Sequence, residues 1–205
     1  ASTNQRRAGW RRAWSTGVTR HIGCSDLQYK WLKHGFHHAF KAVPAPIGPG
    51  GPTCECNLPG SDDPAMLKWW FDTVIELLVL GCLVEVMRRP FIISGMGPVE
   101  KGDFDAVLRP NRLRLIVDHR AANVFILTPK FRMESLHRSR HLFEKGDVML
   151  CFDEQAGFWS GVTCESHREL MGVMVQGRCF VWAANCMGTT STPCLFQSMR
   201  WTVAK

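Results

Sequence analysis

The stretch RLRLIVDHRAAN, residues 112–123, decides how the rest of the chain is interpreted. Its apolar run at 113–117 predicts a β-strand. Because successive side chains on a strand point to opposite faces, Arg112 and Arg114 are expected on one face. There they meet either nucleic-acid phosphates, through salt-dependent contacts without base specificity, or solvent and an ion-pair partner. Asp118 is the nearest partner, for Arg120 as well.

Around this stretch the pattern predicts further strands and helices. A helix begins at Pro64, with Asp63 as its N-cap, and ends at Gly81. The other predicted elements are strands at 82–87, 91–98 and 148–152, a helix at 131–145 closed by Gly146, a hairpin of 170–175 with 179–183, and a final helix from Thr192. Strands and helices do not alternate strictly, so the predicted class is α+β.

The sequence divides into three predicted parts. Residues 1–29 form an extended basic N-terminal tail, 30–63 an aromatic and histidine-rich segment with a Pro/Gly linker, and 64–205 the main domain. The first 25 residues contain no acidic residue, a composition typical of an organelle transit peptide, of a basic arm lying on RNA, or of a solvated tail. The arginines of this tail are Arg6, Arg7, Arg11, Arg12 and Arg20.

Composition narrows the class of protein. The chain has 205 residues, of which 45% are hydrophobic, and this excludes wholesale disorder. A net charge of +7 favours a polyanionic partner, most simply RNA. Nine cysteines, an odd number, favour a reducing compartment. The most apolar run, 74–87, is shorter than a membrane span and is interrupted by Glu76 and Glu85, so no transmembrane helix is expected.

Five segments in order resemble the reverse transcriptases of retroelements, most closely those related to the DIRS group. RLRLIVDHRAAN resembles the fingers motif of that family. The other matching segments are PKFRMESL at 129–136, FDEQAGF at 152–158, the hairpin region 167–178 and GTTSTPCLF at 188–196. The resemblance implies the fingers and part of the palm, in an incomplete domain.

The resemblance also implies roles for individual residues. Arg114 matches the arginine that touches the incoming triphosphate, and Asp153 matches the first metal-binding aspartate. Phe158 matches the aromatic gate against a ribose 2′-OH. Gly188 matches the loop under the nascent base pair, although Met187 replaces the residue usual before it.

One part of the family's centre is not found in the sequence. Polymerases clamp two metal ions with at least two convergent carboxylates, and the family's second carboxylate comes from an aromatic-x-Asp-Asp hairpin. The chain reaches Lys205 without that hairpin. We therefore predict no catalysis and no cofactor, with Asp153, Phe158 and Gly188 vestigial and Asp153 alone at most a weak metal site.

Three functions are compatible with these features. The first is a non-catalytic subunit that supports a large ribonucleoprotein, such as a mitochondrial ribosome, and contacts its RNA (rRNA in a ribosome). Neighbouring subunits would cover the incomplete palm sheet, and the localisation would be mitochondrial. The alternatives are half of a split RNA-directed DNA polymerase completed by a second chain, and a protein-only scaffold subunit. The predicted RNA contacts, besides the tail, are Arg112, Arg114, Arg120, Arg138, Arg140 and Lys145.

Overall fold

A five-stranded mixed sheet organises the chain. It is seen in a computed structural model that describes residues 25–41, 64–100, 113–128, 130–133, 141, 143–148 and 157–203. The strands are β1 (Leu83–Val86), β2 (Ile93–Glu100), β3 (Leu113–Asp118), β4 (Gly172–Val175) and β5 (Arg178–Trp182). Their order is β1-β5-β4-β2-β3, with β2 and β4 parallel and the other pairs antiparallel. The predicted α+β class is confirmed.

The described residues form four α-helices and two short 3-10 helices. They are α1 (Asp26–His34), α2 (Pro64–Val79), α3 (Arg120–Asn123) and α4 (Thr192–Val203), with 3-10 helices at Gly157–Ser160 and Glu165–Leu170. None of the helices that the structure describes is long and apolar enough to span a membrane.

The main core lies between α2 and one face of the sheet. Trp70, Val74 and Leu77 of α2 are buried, and they belong to one cluster with Val173 of β4 and Trp182 of β5. Burial of side chains of this size stabilises a fold by about 1.5–3 kcal/mol each. The apolar spacing in the sequence therefore identifies the helix face that packs.

The boundaries of most predicted elements are confirmed. Helix α2 begins at Pro64, and Gly81 follows its end in the left-handed conformation, with a φ of 65°. Strand β3 and the β4–β5 hairpin lie where the pattern predicts them. The five cysteines of the described ranges are free thiols, and Cys82, Cys164 and Cys186 are buried.

Three predictions differ from the structure. Helix α1 begins at Asp26, inside the segment predicted as tail, because Ser25 and Gln28 form a reciprocal capping box. The predicted helix at 131–145 is not helical at 131–133, where Gln197 of α4 donates its side-chain N–H to the Arg132 carbonyl. Val148 lies in no strand and is exposed, and the rest of the predicted strand 148–152 is outside the described residues.

Candidate functional site

The site is built on the loop 187–191, which connects the region after β5 to α4. Gly188 has a φ of 96°, a conformation that side chains with a Cβ rarely adopt. A Cβ added there would lie 2.5 Å from the Val117 carbonyl oxygen of β3. Glycine is therefore required twice, for the backbone conformation and for the close approach to β3.

Asn123, at the end of α3, braces this loop with both ends of its side-chain amide. Its Nδ2 donates to the Gly188 carbonyl at 2.8 Å, and the Thr190 N–H donates to its Oδ1 at 3.0 Å. An amide is the side-chain group that supplies a donor and an acceptor in this arrangement. The segment 113–123 thus positions the loop through its last residue.

Asp118 and Arg120 form an ion pair beside the brace. The Arg120 Nε lies 2.9 Å from both Asp118 oxygens, and its Nη2 lies 2.6 Å from Oδ2. The hydrogen bond from the Arg120 side chain lowers the pKa of Asp118 below its usual value. Arg120 was predicted either to contact RNA or to pair with Asp118. In the structure it pairs with Asp118.

Arg114 differs from Arg120 in its surroundings. It lies on β3 opposite Val99 of β2, on the sheet face that also carries Ile116 and Asp118. Its side chain is exposed, and no carboxylate of the described ranges pairs with it. It is thus a solvent-facing cation on the strand against which the Gly188 loop packs.

Phe158 packs against α4, the helix that follows the loop 187–191 in the chain. Its ring, in the 3-10 helix Gly157–Ser160, meets Phe196 of α4 at a centroid distance of 5.1 Å and an angle of 74°. Helix α4 therefore connects Phe158 with the loop that carries Gly188. Asp153, the predicted metal-binding aspartate, lies outside the described residues.

Two buried histidines flank the loop. His119 is 1% exposed, and its Nδ1 lies 2.9 Å from the Ser94 hydroxyl. Burial lowers the pKa of His119 to about 4. His38 is 3% exposed with its Nδ1 2.7 Å from the Ser191 hydroxyl, and burial lowers its pKa to about 3. Both imidazoles are therefore neutral at pH 7.

Sequence reasoning missed two of these contributors. Asn123 belongs to the quoted motif but was given no role, and an asparagine ending a fingers motif was the available signal. His38 carried no signal beyond lying in a histidine-rich segment, because its partner Ser191 is 153 residues away.

The other predicted cations are only partly placed. Lys145 is exposed and lies in a turn. Residues 130–132 and Thr128 line an open cleft of about 530 Å³, so Lys130 and Arg132 lie close to each other at the surface. The predicted RNA contacts that lie outside the described ranges are Arg6, Arg7, Arg11, Arg12, Arg20, Arg112, Arg138 and Arg140.

No group of three or more metal-ligating side chains occurs within the described ranges. Asp118 precedes His119, whose ring lies beside Gly188, and the Asp118 carboxylate is paired with Arg120. The candidate site, as far as it is described, is therefore a braced backbone loop packed on β3, the strand that also carries the exposed Arg114.

Solved structures of a foamy viral protease-reverse transcriptase have a similar fold. The one in complex with double-stranded DNA matches with a TM-score of 0.54 at 15% identity, over 90% of this chain and 33% of its own. The one with an RNA/DNA hybrid matches with a TM-score of 0.51 at 16% identity, over 91% of this chain and 26% of its own. A further complex with double-stranded DNA matches with a TM-score of 0.50 at 16% identity, over 90% of this chain and 40% of its own.

The chain thus spans between 26% and 40% of the length of these structures. No protein-family model matches the sequence, and no curated protein does. At such low identity the likeness shows the fold alone, and the relation to the DIRS group stays a prediction. The fold is an α+β arrangement with a five-stranded mixed sheet, similar to the fingers and part of the palm of a reverse transcriptase.

Proposed function

We propose that the chain binds RNA along the surface formed by β3 and the loop 187–191. The observation that carries this proposal is the brace of Asn123 on Gly188 and Thr190, in a loop packed on the same strand that carries the exposed Arg114, with which no carboxylate of the described residues pairs. The absence of a side chain at Gly188 lets the loop backbone pack directly on β3, and Arg114 of the same strand supplies a phosphate contact. The net charge of +7 and the nucleic-acid complexes of the foamy viral structures support this proposal.

Binding of this kind is electrostatic and independent of sequence. Each phosphate neutralised by an arginine releases counterions, so affinity falls as salt rises. Lys130 and Arg132 are further exposed cations, and both line one open cleft. RNA is therefore expected to bind with a strong salt dependence and with little preference among base sequences.

We propose further that these 205 residues do not by themselves complete a polymerase centre. A two-metal centre requires two convergent carboxylates, and the resemblance assigns only Asp153 within the sequence. The ribonucleoprotein assembly, the rRNA, the neighbouring subunits and the mitochondrial localisation stay predictions of the sequence. A protein-only scaffold would show no RNA binding in the experiment below.

A second candidate is an RNA-directed DNA polymerase whose remaining carboxylate comes from another segment or chain. The packing of Phe158 on Phe196 and the braced Gly188 favour it, because both groups belong to the nucleotide site that the resemblance implies. Mg²⁺-dependent primer extension by the chain with its natural partners, abolished by Asp153→Asn, would establish this candidate. Absence of extension together with RNA binding would support the non-catalytic function.

The binding proposal is tested by fluorescence anisotropy with labelled RNA over a salt series. Arg114→Ala is expected to weaken binding several-fold and to reduce the salt slope by about one phosphate contact. Arg178→Ala is the matched control, because Arg178 is an exposed strand arginine already paired with Glu85. Equal effects of the two substitutions, or no RNA binding at all, would contradict the proposal.

A further inference from the structure

The segment 36–40 crosses the protein next to the loop 187–191. Its ends are fixed by backbone pairing, Phe36 with Thr163 and Phe40 with Ile126. Between them lies His38, whose buried ring reaches Ser191 at 2.7 Å. A buried imidazole with a hydroxyl partner at this distance makes a hydrogen bond that neither group can replace with water.

His167 holds the backbone of this segment from a different element. The His38 N–H donates to the His167 Nδ1 at 3.2 Å, so this nitrogen carries no proton. The His167 ring packs edge-on against His37 and Phe40, at centroid distances of 5.3 Å and 4.9 Å. A chain of two hydrogen bonds therefore runs from the 3-10 helix Glu165–Leu170 through His38 to Ser191.

We propose that His38 is a positioning residue that holds the C-terminal end of the loop 187–191, while Asn123 holds its centre. The loop would then be fixed from two elements that are distant in the sequence, α3 and the segment 36–40. The consequence for binding rests on the proposed function, because the loop is the backbone part of the proposed RNA surface.

The arrangement also makes the loop sensitive to acid. The titratable groups that act on His38 are His37 on its own segment, His167 on the 3-10 helix and His119 after β3, and each disfavours a charged His38. No carboxylate is among them within the described residues. A proton on the His167 Nδ1 would face the His38 N–H and break their hydrogen bond, so acid loosens the segment and then the loop.

The test is hydrogen–deuterium exchange by mass spectrometry on the full chain, with the peptide over 186–192 as readout and the β4–β5 hairpin as internal reference. His38→Ala and Ser191→Ala are each expected to speed exchange of the loop by about tenfold, the loss of one buried hydrogen bond. The double variant is expected to add nothing to either, since both remove one contact. His38→Asn places an amide where Nδ1 was and is expected to recover most of the protection.

A pH series separates positioning from simple stability. Burial and then the nearby His37 lower the pKa of His167 below 6.5, so, after correction for intrinsic exchange, loop exchange of the unmodified chain is expected to rise as the pH falls below that value. His167→Asn, which accepts the same hydrogen bond without titrating, is expected to flatten that rise. His34→Ala, an exposed histidine at the end of α1, is the matched control and is expected to change nothing.

Two results would overturn the inference. One is loop exchange in Ser191→Ala equal to that of the unmodified chain. The other is faster exchange in His38→Ala that is equal in the loop and in the β4–β5 hairpin. RNA binding is measured on the same samples: a loop that opens as expected in a chain that binds no RNA refutes the proposed function and supports the positioning role.

Discussion

An exposed arginine lies near each edge of the sheet, but only one of the two has an acidic partner among the described residues. At the β1 edge, Arg178 of β5 forms a bidentate ion pair with Glu85 of β1. At the β3 edge, Arg114 has no acidic partner among the described residues, and a braced glycine loop lies beside its strand. Neither edge strand pairs with a further strand in this part of the chain. Among the described residues, the Arg178 charge at the β1 edge is neutralised and the Arg114 charge at the β3 edge is not, which favours the β3 edge as the proposed RNA-binding edge.

The largest expected difference between the edges is in acid. His38 and His119, both buried near the β3 edge, have pKa values lowered to about 3 and about 4. A depressed histidine pKa means that the unfolded chain binds more protons below about pH 6.5. The stability is complete above that pH and falls as the pH drops, by about 1.4 kcal/mol per pH unit for each histidine, or about 4 kcal/mol at pH 5.

Urea unfolding between pH 7.5 and pH 5 measures this loss. His119→Asn keeps a partner for Ser94 without a titrating group, and we expect it to remove about half of the pH dependence. A stability that is flat over this range would show that the two histidines are accessible to protons in the folded chain.

The next effect compares two glycines with positive φ. Gly188→Ala would place a Cβ 2.5 Å from the Val117 carbonyl oxygen, and we expect a loss of about 3 kcal/mol together with weaker RNA binding. Gly177 lies in the β4–β5 turn with a φ of 75° and open space around it. Gly177→Ala is therefore expected to lower the free energy of unfolding by only about 1 kcal/mol and to leave RNA binding unchanged. Thermal unfolding and anisotropy measure both. Equal losses would mean that the close approach to β3 has no energetic weight.

The brace on the loop ranks third. Asn123→Ala removes the donor to Gly188 and the acceptor for the Thr190 N–H, and we expect it to cost about 1–2 kcal/mol and to weaken RNA binding. Asn123→Asp keeps the acceptor but sets a carboxylate against the Gly188 carbonyl, so it is expected to be no better than alanine. If Asn123→Asp binds RNA like the unmodified chain, the donor to Gly188 is dispensable.

The sequence predicted the sheet elements better than the site. Strand β3 and the turn at Gly177 follow from local periodicity and turn chemistry, which act over a few residues. The contacts of Asn123 with Gly188 and of His38 with Ser191 join residues 65 and 153 positions apart. Such pairs are set by the packing of the whole fold, and no local pattern contains them.

Helix α1 shows a different reason for a missed element. Its capping box, Ser25 with Gln28, was visible in the sequence. The basic composition of the preceding residues led to the interpretation of the whole segment as tail. The local signal was correct because a capping box satisfies the backbone N–H groups whatever charge precedes it.

The smallest expected effect is at the β1 edge. Arg178→Ala breaks an ion pair between two exposed side chains, whose attraction is screened by solvent, so the unfolding midpoint should not move measurably. The local effect is measurable all the same, because the Arg178 hydrogen bond lowers the pKa of Glu85. In an NMR titration the pKa of Glu85 should rise toward its ordinary value in Arg178→Ala and stay unchanged in Arg114→Ala. If Arg114→Ala also raised the pKa of Glu85, the charges of the two edges would be coupled across the sheet, and the contrast between a neutralised and a cationic edge would fail.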